Sequence, residues 1–276
     1  MFTELYFMKG IRVIPDGHYL GEGISQGLAR GLLVFFCDQN LTGEGMGIGS
    51  VAVRDHEYTY FSRSWNDSAD EGALIRTFTI DTRMIWSIHG NPLPWVTRWI
   101  ESGISAYMQL PAFQNIIMRP VLPLRRILCI HPVFETIPPR GQVTVTYRVD
   151  GGHVDVRAEI HPQIQPGNTV CLLNELSAVW FTAAVRDEKT GPPPPGWAML
   201  NAQKPPIPLY DPVHGIRFAI THPSVTPAVQ TRLFWGRECT DDLCWAGFCV
   251  ELGPLDGSQE SLVAHYSISV TAGGCP

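Results

Sequence analysis

The sequence predicts a mainly β protein: a large antiparallel β-barrel or curled β-sandwich, with one helical insertion around residues 94–118. The 276 residues are expected to form a single unit, with a subdivision into two β-halves, 1–120 and 121–276, as the alternative. Three observations carry this. Apolar runs such as Leu32–Cys37 are too short for a typical helix and rich in β-formers. Period-two alternation recurs along the chain, most cleanly over Gln142–Ile160. Helical spacing occurs in one stretch only, from Pro94 onward.

The first strand is expected at Ile11–Ile14, ended by Pro15-Asp16-Gly17. Next comes Leu32–Cys37, then a turn at Asp38-Gln39-Asn40 and a segment with Gly43, Gly45, Gly47 and Gly49 at every second position. In an extended strand those glycines would leave one face bare. The pattern therefore implies a sharply curled sheet, or close approach by another backbone or a ligand. His56–Arg63 alternates as a strand, Asn66–Gly72 reads as an acidic loop, and strands follow at Leu74–Thr82 and Met84–His89.

From Pro94, the residues Trp95, Trp99, Gly103 and Tyr107 recur at four-residue steps, beside Val96, Ile100 and Ile104. A proline suits a first helical turn, and Pro111 ends the pattern or restarts a short helix to Met118. The tryptophans are expected to bury against a sheet, or else to line the mouth of a cavity.

Beyond Leu128 the chain is β again. Val143, Val145, Tyr147 and Val149, then Val154, Val156, Ala158 and Ile160, form the apolar face of a hairpin turning at Gly151-Gly152. Thr169–Val185 is one apolar strand or a pair. Residues 191–212 form a proline-rich connection, and strands follow at 215–220, 231–236, 245–252 and 262–271.

Composition narrows the partners. A net charge of −6 and three lysines argue against nucleic acid, whose phosphates need clustered cations. No apolar run approaches the ~18 residues of a membrane span. The N-terminal stretch carries Glu4, Lys9 and Arg12 where a signal peptide would be apolar. A cytoplasmic protein that binds a small molecule is the expectation. Seven cysteines, several of them in or beside apolar runs, read as free thiols rather than a disulfide framework, and the Cys239/Cys244/Cys249 spacing is not a zinc pattern.

No catalytic motif of known spacing is present, and neither a cofactor nor a metal is implied. The remaining candidates are acids inside apolar sequence. Glu175 is the sharpest, within CLLNELSAVWF. In a strand covered on both faces, Asn174 and Glu175 would each point into an apolar environment, and the carboxyl would titrate high enough for acid–base work. In the alternative they mark a turn and are exposed. Asp38 and Glu238 are the candidate partners of Glu175. Asn174, Trp180, Trp235, Trp65, His131 and Tyr107 are candidate ligand contacts in an aromatic-lined site. Two activities suit such a site. One is binding of a mostly apolar organic molecule, with cofactor-free cyclisation, hydration or isomerisation. The other is a carbohydrate-binding or carbohydrate-active β-sandwich using tryptophans and paired carboxylates. A jelly-roll assembly protein is the reading without a site.

Overall fold

The computed structural model describes residues 5–6, 11–15, 27–108, 127–150, 152–161, 163–164, 166–186, 189–200, 207–239, 244–256 and 261–272. The first strands are β1 (Leu5–Tyr6), β2 (Ile11–Pro15), β3 (Leu32–Phe36), β4 (Gln39–Asn40) and β5 (Gly47–Arg54). Then come the long pair β6 (Thr59–Asp70) and β7 (Ala73–Ile88), the short β8 (Asn91–Pro92) and the helix α1 (Pro94–Met108). The middle of the chain forms β9 (Ile130–Thr136), β10 (Gln142–Asp150), β11 (His153–Ile160) and β12 (Thr169–Leu176). Short strands follow: β13 (Ala183–Arg186), β14 (Lys189–Gly191), β15 (Gly196–Met199), β16 (Leu209–Asp211), β17 (Ile216–Ile220) and β18 (Ser224–Thr226). The last are β19 (Thr231–Cys239), β20 (Cys244–Leu252) and β21 (Leu262–Ala272).

The named strand pairings are all antiparallel and join into one sheet that does not close on itself. From one end the ribbon runs β15, β19, β20, β12, β5. It crosses from β5 to β6 through Val53↔Tyr60 and continues through β7, β10, β11 and β21 to β17, β16 and β13. The two halves of the ribbon face each other across a shared apolar core. Its members include Val51 and Val53 of β5, Leu172 of β12, Val143 and Val145 of β10, Val156 of β11 and Phe218 of β17. Contacts between the layers confirm the facing. Tyr147 O–H donates to the Gly49 carbonyl (2.8 Å), and the Phe218 and Phe248 rings meet at 5.1 Å. The architecture is thus the curled sandwich and not the closed barrel.

The alternating hairpin is β10–β11, with Val143, Val145, Tyr147, Val154, Val156 and Ala158 fully buried. Elsewhere the chain departs from its local pattern. The acidic stretch at 66–70 continues β6, because its backbone pairs with β7 up to Asp70↔Ala73; the turn is only Glu71-Gly72. The expected strands at 74–82 and 84–89 are a single strand, β7. Its first half pairs with β6 and β10, and its second half with β9. Of the four alternating glycines, Gly47 and Gly49 begin β5 with positive φ (78° and 72°), and Gly43 and Gly45 lie in the turn before it. A continuous bare strand face is therefore not formed.

Helix α1 reverses the expected burial. Trp95 and Trp99 are 65% and 79% exposed, whereas Val96, Thr97 and Glu101 are buried. The helix docks through polar atoms: Thr97 Oγ1 accepts from Trp86 N (2.9 Å), and Glu101 accepts from the Trp86 indole (3.0 Å) and Thr59 (3.1 Å). Residues 109–118, the rest of the expected helical stretch, lie outside the described residues. No described helix is long and apolar enough to cross a membrane.

Strand β12 is buried on both faces, and Asn174 sits at the centre of the core side. Its Oδ1 accepts from Gly49 N (3.0 Å) and from the Tyr266 hydroxyl (3.2 Å). Asn174→Ala strands both donors in the core and should cost about 2–4 kcal/mol, read as a fall in the urea-unfolding free energy. A loss under about 1 kcal/mol would mean that these bonds do not hold the two layers.

Candidate functional site

Adjacent residues on a strand face opposite sides, so Glu175 leaves the core that Asn174 enters. It joins a second apolar cluster on the outer face of the β5, β12, β20 and β19 layer: Leu28, Met46, Ala52, Cys171, Leu173, Phe234 and Cys249. Phe61, Phe134 and Trp197 pack at its margin, with the Phe61 and Phe134 rings edge to face at 5.6 Å.

The strand register sets the geometry around Glu175. Trp197 on β15 lies opposite Gly236 on β19, Gly236 opposite Gly247 on β20, and Gly247 opposite Glu175 on β12. One row across four strands thus begins with an indole, ends with a carboxyl, and carries no side chain between them. At ~4.8 Å per strand step the two ends are roughly 14 Å apart along the sheet. Both glycines are obligatory: a Cβ on Gly236 would lie 1.7 Å from the Gly196 carbonyl oxygen, and one on Gly247 would lie 2.1 Å from that of Asn174. Two register pairs along the hairpin, and so on the same face, Glu238 is opposite Trp245, whose ring stacks on Trp197 at 4.0 Å and 20°.

Glu175 is 7% exposed. Met46 N–H donates to its Oε2 (3.0 Å), and among the described residues its other oxygen has no hydrogen-bond partner. Burial pushes the carboxyl up to about 7, and the negative charge of Glu238 adds to the rise. The Met46 hydrogen bond and the nearby Arg30 charge oppose it without prevailing. Arg30 is itself buried, and its Nη2 donates to the carbonyls of Gly43 (2.8 Å) and Gly45. On the same face, Glu251 by contrast is ion-paired by Arg54 (2.5 Å) and Arg232.

The sequence candidates separate into groups. Glu175 and Glu238 are electrostatic neighbours. Asn174 is beside Glu175 in the chain but is committed to the core. Asp38 is in the exposed β3–β4 turn, 3.5 Å from Arg12. Trp235 alternates with Glu238 and packs on the central core from the other face of β19. Trp65 packs there too, with the Arg76 guanidinium 5.5 Å from its ring. Trp180 meets His214 edge to face at 5.0 Å. His131 lies on β9 opposite Ser87, its Nδ1 3.1 Å from the Cys129 carbonyl. Tyr107 is in the last turn of α1, and its side chain lies outside the described residues. Among the described residues no His, Cys, Asp and Glu side chains gather as a metal-ligand cluster.

No protein-family model matches the chain, and neither does any curated protein. Among solved structures, similarity extends to a provisionally named aldose 1-epimerase from Escherichia coli K12, with 9% identity, 98% of both chains covered and a TM-score of 0.43. It also extends to an alpha-mannosidase from Enterococcus faecalis V583, with 10% identity and a TM-score of 0.44. There 99% of this chain is covered, but it spans only 29% of the mannosidase.

The sequence expectations do not include Trp197, Arg30, Gly236 and Gly247. A glycine in the middle of an apolar strand is the one signal that marked two of them.

The raised carboxyl makes a signed prediction. An unfolded glutamate releases its proton near 4.5 and folded Glu175 near 7, so between those values the folded state binds more protons. Stability due to this group is full below about 4.5 and is lost as pH rises to 7. The unfolding free energy of wild type minus that of Glu175→Gln should fall by about 3 kcal/mol over that window. Parallel pH–stability curves would show that the carboxyl is not raised.

Proposed function

We propose that the outer-face site binds a sugar ring and moves protons on it without a cofactor, catalysing isomerisation at the anomeric carbon of an aldose. The observation that carries this reading is the Glu175 carboxyl. One of its oxygens is held by the Met46 N–H, and the group titrates near neutrality at the end of a side-chain-free row whose other end is an indole. Near pH 7 such a group is half protonated, so it can both take and return a proton. Glu238 supplies a second carboxylate on the neighbouring hairpin. The Trp197–Trp245 stack offers an indole face, onto which the C–H face of a pyranose packs.

In the reaction, the Glu175 carboxylate removes the proton of the anomeric hydroxyl while a water protonates the ring oxygen, and the hydroxide left takes the proton from Glu175. The C1–O5 bond breaks, an open-chain aldehyde forms, and the reverse steps on its other face close the opposite anomer. Every proton taken is returned, so no redox partner is needed. At Gly236 and Gly247 the carbonyls of Gly196 and Asn174 occupy the place of a side chain, so the row between the indole and the carboxyl is backbone alone.

Polarimetry of freshly dissolved aldoses tests this. Wild type should speed mutarotation of at least one aldose at pH 7. Glu175→Gln should lower kcat by about 10²-fold with KM little changed. Trp197→Ala should weaken binding roughly 10-fold, read by titration calorimetry. If no aldose is turned over or bound at millimolar concentration, the reading fails.

A further inference from the structure

Cys239 and Cys244 are the last residue of β19 and the first of β20, directly opposite each other in register, with their sulfurs 3.0 Å apart. Directly opposed residues on antiparallel strands have Cα atoms about 4.5–5.5 Å apart, inside the range a disulfide spans. Cys239 is exposed, so an oxidant reaches it, and Cys244 is half-buried behind it. The chain holds a second close pair, Cys171 and Cys249, but both are buried under the outer-face cluster. Among the described cysteines, only the hairpin pair combines proximity with access.

We propose that Cys239 and Cys244 form a reversible disulfide that fixes the hairpin end carrying Glu238 and Trp245, and so sets the geometry of the candidate site. The consequence for the site rests on the proposed function; the bond itself does not. Glu238 and Trp245 are the next register pair inward from the cysteines. Trp245 stacks on Trp197, and Cys244 is within hydrogen-bond reach of Ser177, two residues beyond Glu175. A covalent link at the hairpin end restricts how far the Trp245 ring and the Glu238 carboxyl can move relative to β12.

The chemistry is thiol–disulfide exchange with a low-molecular-weight disulfide. The Cys239 thiolate attacks one sulfur of that disulfide, and the other leaves as a thiolate. Cys244 then gives up its proton and attacks the mixed disulfide at the Cys239 sulfur, releasing the second thiolate. The two protein thiols lose two electrons and two protons, and the small disulfide becomes two thiols. A reducing dithiol reverses both steps.

The full chain is incubated with oxidised glutathione, freed of it, denatured, alkylated with N-ethylmaleimide and digested with trypsin and chymotrypsin. The peptide Glu238–Trp245 should carry no alkyl group and be lighter by two hydrogens, and dithiothreitol should restore alkylation at both cysteines. Intrinsic tryptophan fluorescence should shift on oxidation in wild type and stay constant in C239S/C244S. Full alkylation of both cysteines, a lasting glutathione adduct on Cys239, or a bond to any other cysteine overturns the disulfide. A disulfide without a fluorescence change overturns its link to Trp245. None of these measurements uses a sugar, so they stand or fall apart from the proposed activity.

Discussion

A strand buried on both faces has to settle every polar side chain it carries within the protein, and β12 is such a strand. Leaving a buried donor or acceptor without a partner costs about 1–3 kcal/mol, more than a typical intramolecular hydrogen bond contributes net. Register and layer spacing around β12 therefore follow its polar residues. Asn174 takes its two donors from different elements, Gly49 on β5 and Tyr266 on β21. The irregularity in β5–β12 pairing falls between Leu173 and Asn174, and past it Asn174 is paired with Ile48. The slip costs ladder regularity and is offset by an acceptor matched to the Gly49 N–H. One amide thus joins the two halves of the ribbon where they face each other.

On the opposite face, the next residue meets the same constraint with a different outcome. A buried carboxyl group can be engaged by cations, as Arg54 and Arg232 engage Glu251. Among the described residues Glu175 has no such pair. The nearby Arg30 directs Nη2 to two backbone carbonyls, those of Gly43 and Gly45. A single backbone N–H and a cation turned to other acceptors do not offset desolvation, so the proton is retained to near neutrality. The same outer face therefore holds one glutamate engaged in ion pairs and one whose proton is exchangeable.

What the sequence discloses depends on the range of the interaction that decides each feature. The β10–β11 hairpin is legible because alternation and a two-glycine turn are local. Glu175 is legible because an acid inside CLLNELSAVWF is anomalous in any strand. The stretch 66–70 misleads, because its acidic composition resembles a loop while β7 pairs with it to the tip. Helix α1 misleads for a similar reason. Its apolar stripe suggests a buried Trp95 and Trp99, yet the docking surface it meets offers the Trp86 indole and backbone N–H, which select Thr97 and Glu101. Trp197 is hidden in a proline-rich stretch, and only the pairing of β15 with β19 brings it into the row that ends at Glu175.

The glycine-rich stretch before β5 connects these levels. Its spacing suggested a strand with a bare face; the chain instead turns tightly there, and its backbone becomes part of the site. A Cβ on Gly45 would lie 2.8 Å from the Glu175 carbonyl oxygen, so only glycine allows residues 43–47 to lie against the end of β12. That approach places the Met46 N–H on Oε2 and the Gly43 and Gly45 carbonyls on Arg30. The donor that orients the carboxyl and the acceptors that occupy the neighbouring cation thus come from one short turn. A side chain at Gly45 would displace both together, which is why glycine spacing in residues 43–47 and an acid more than a hundred residues later belong to the same device.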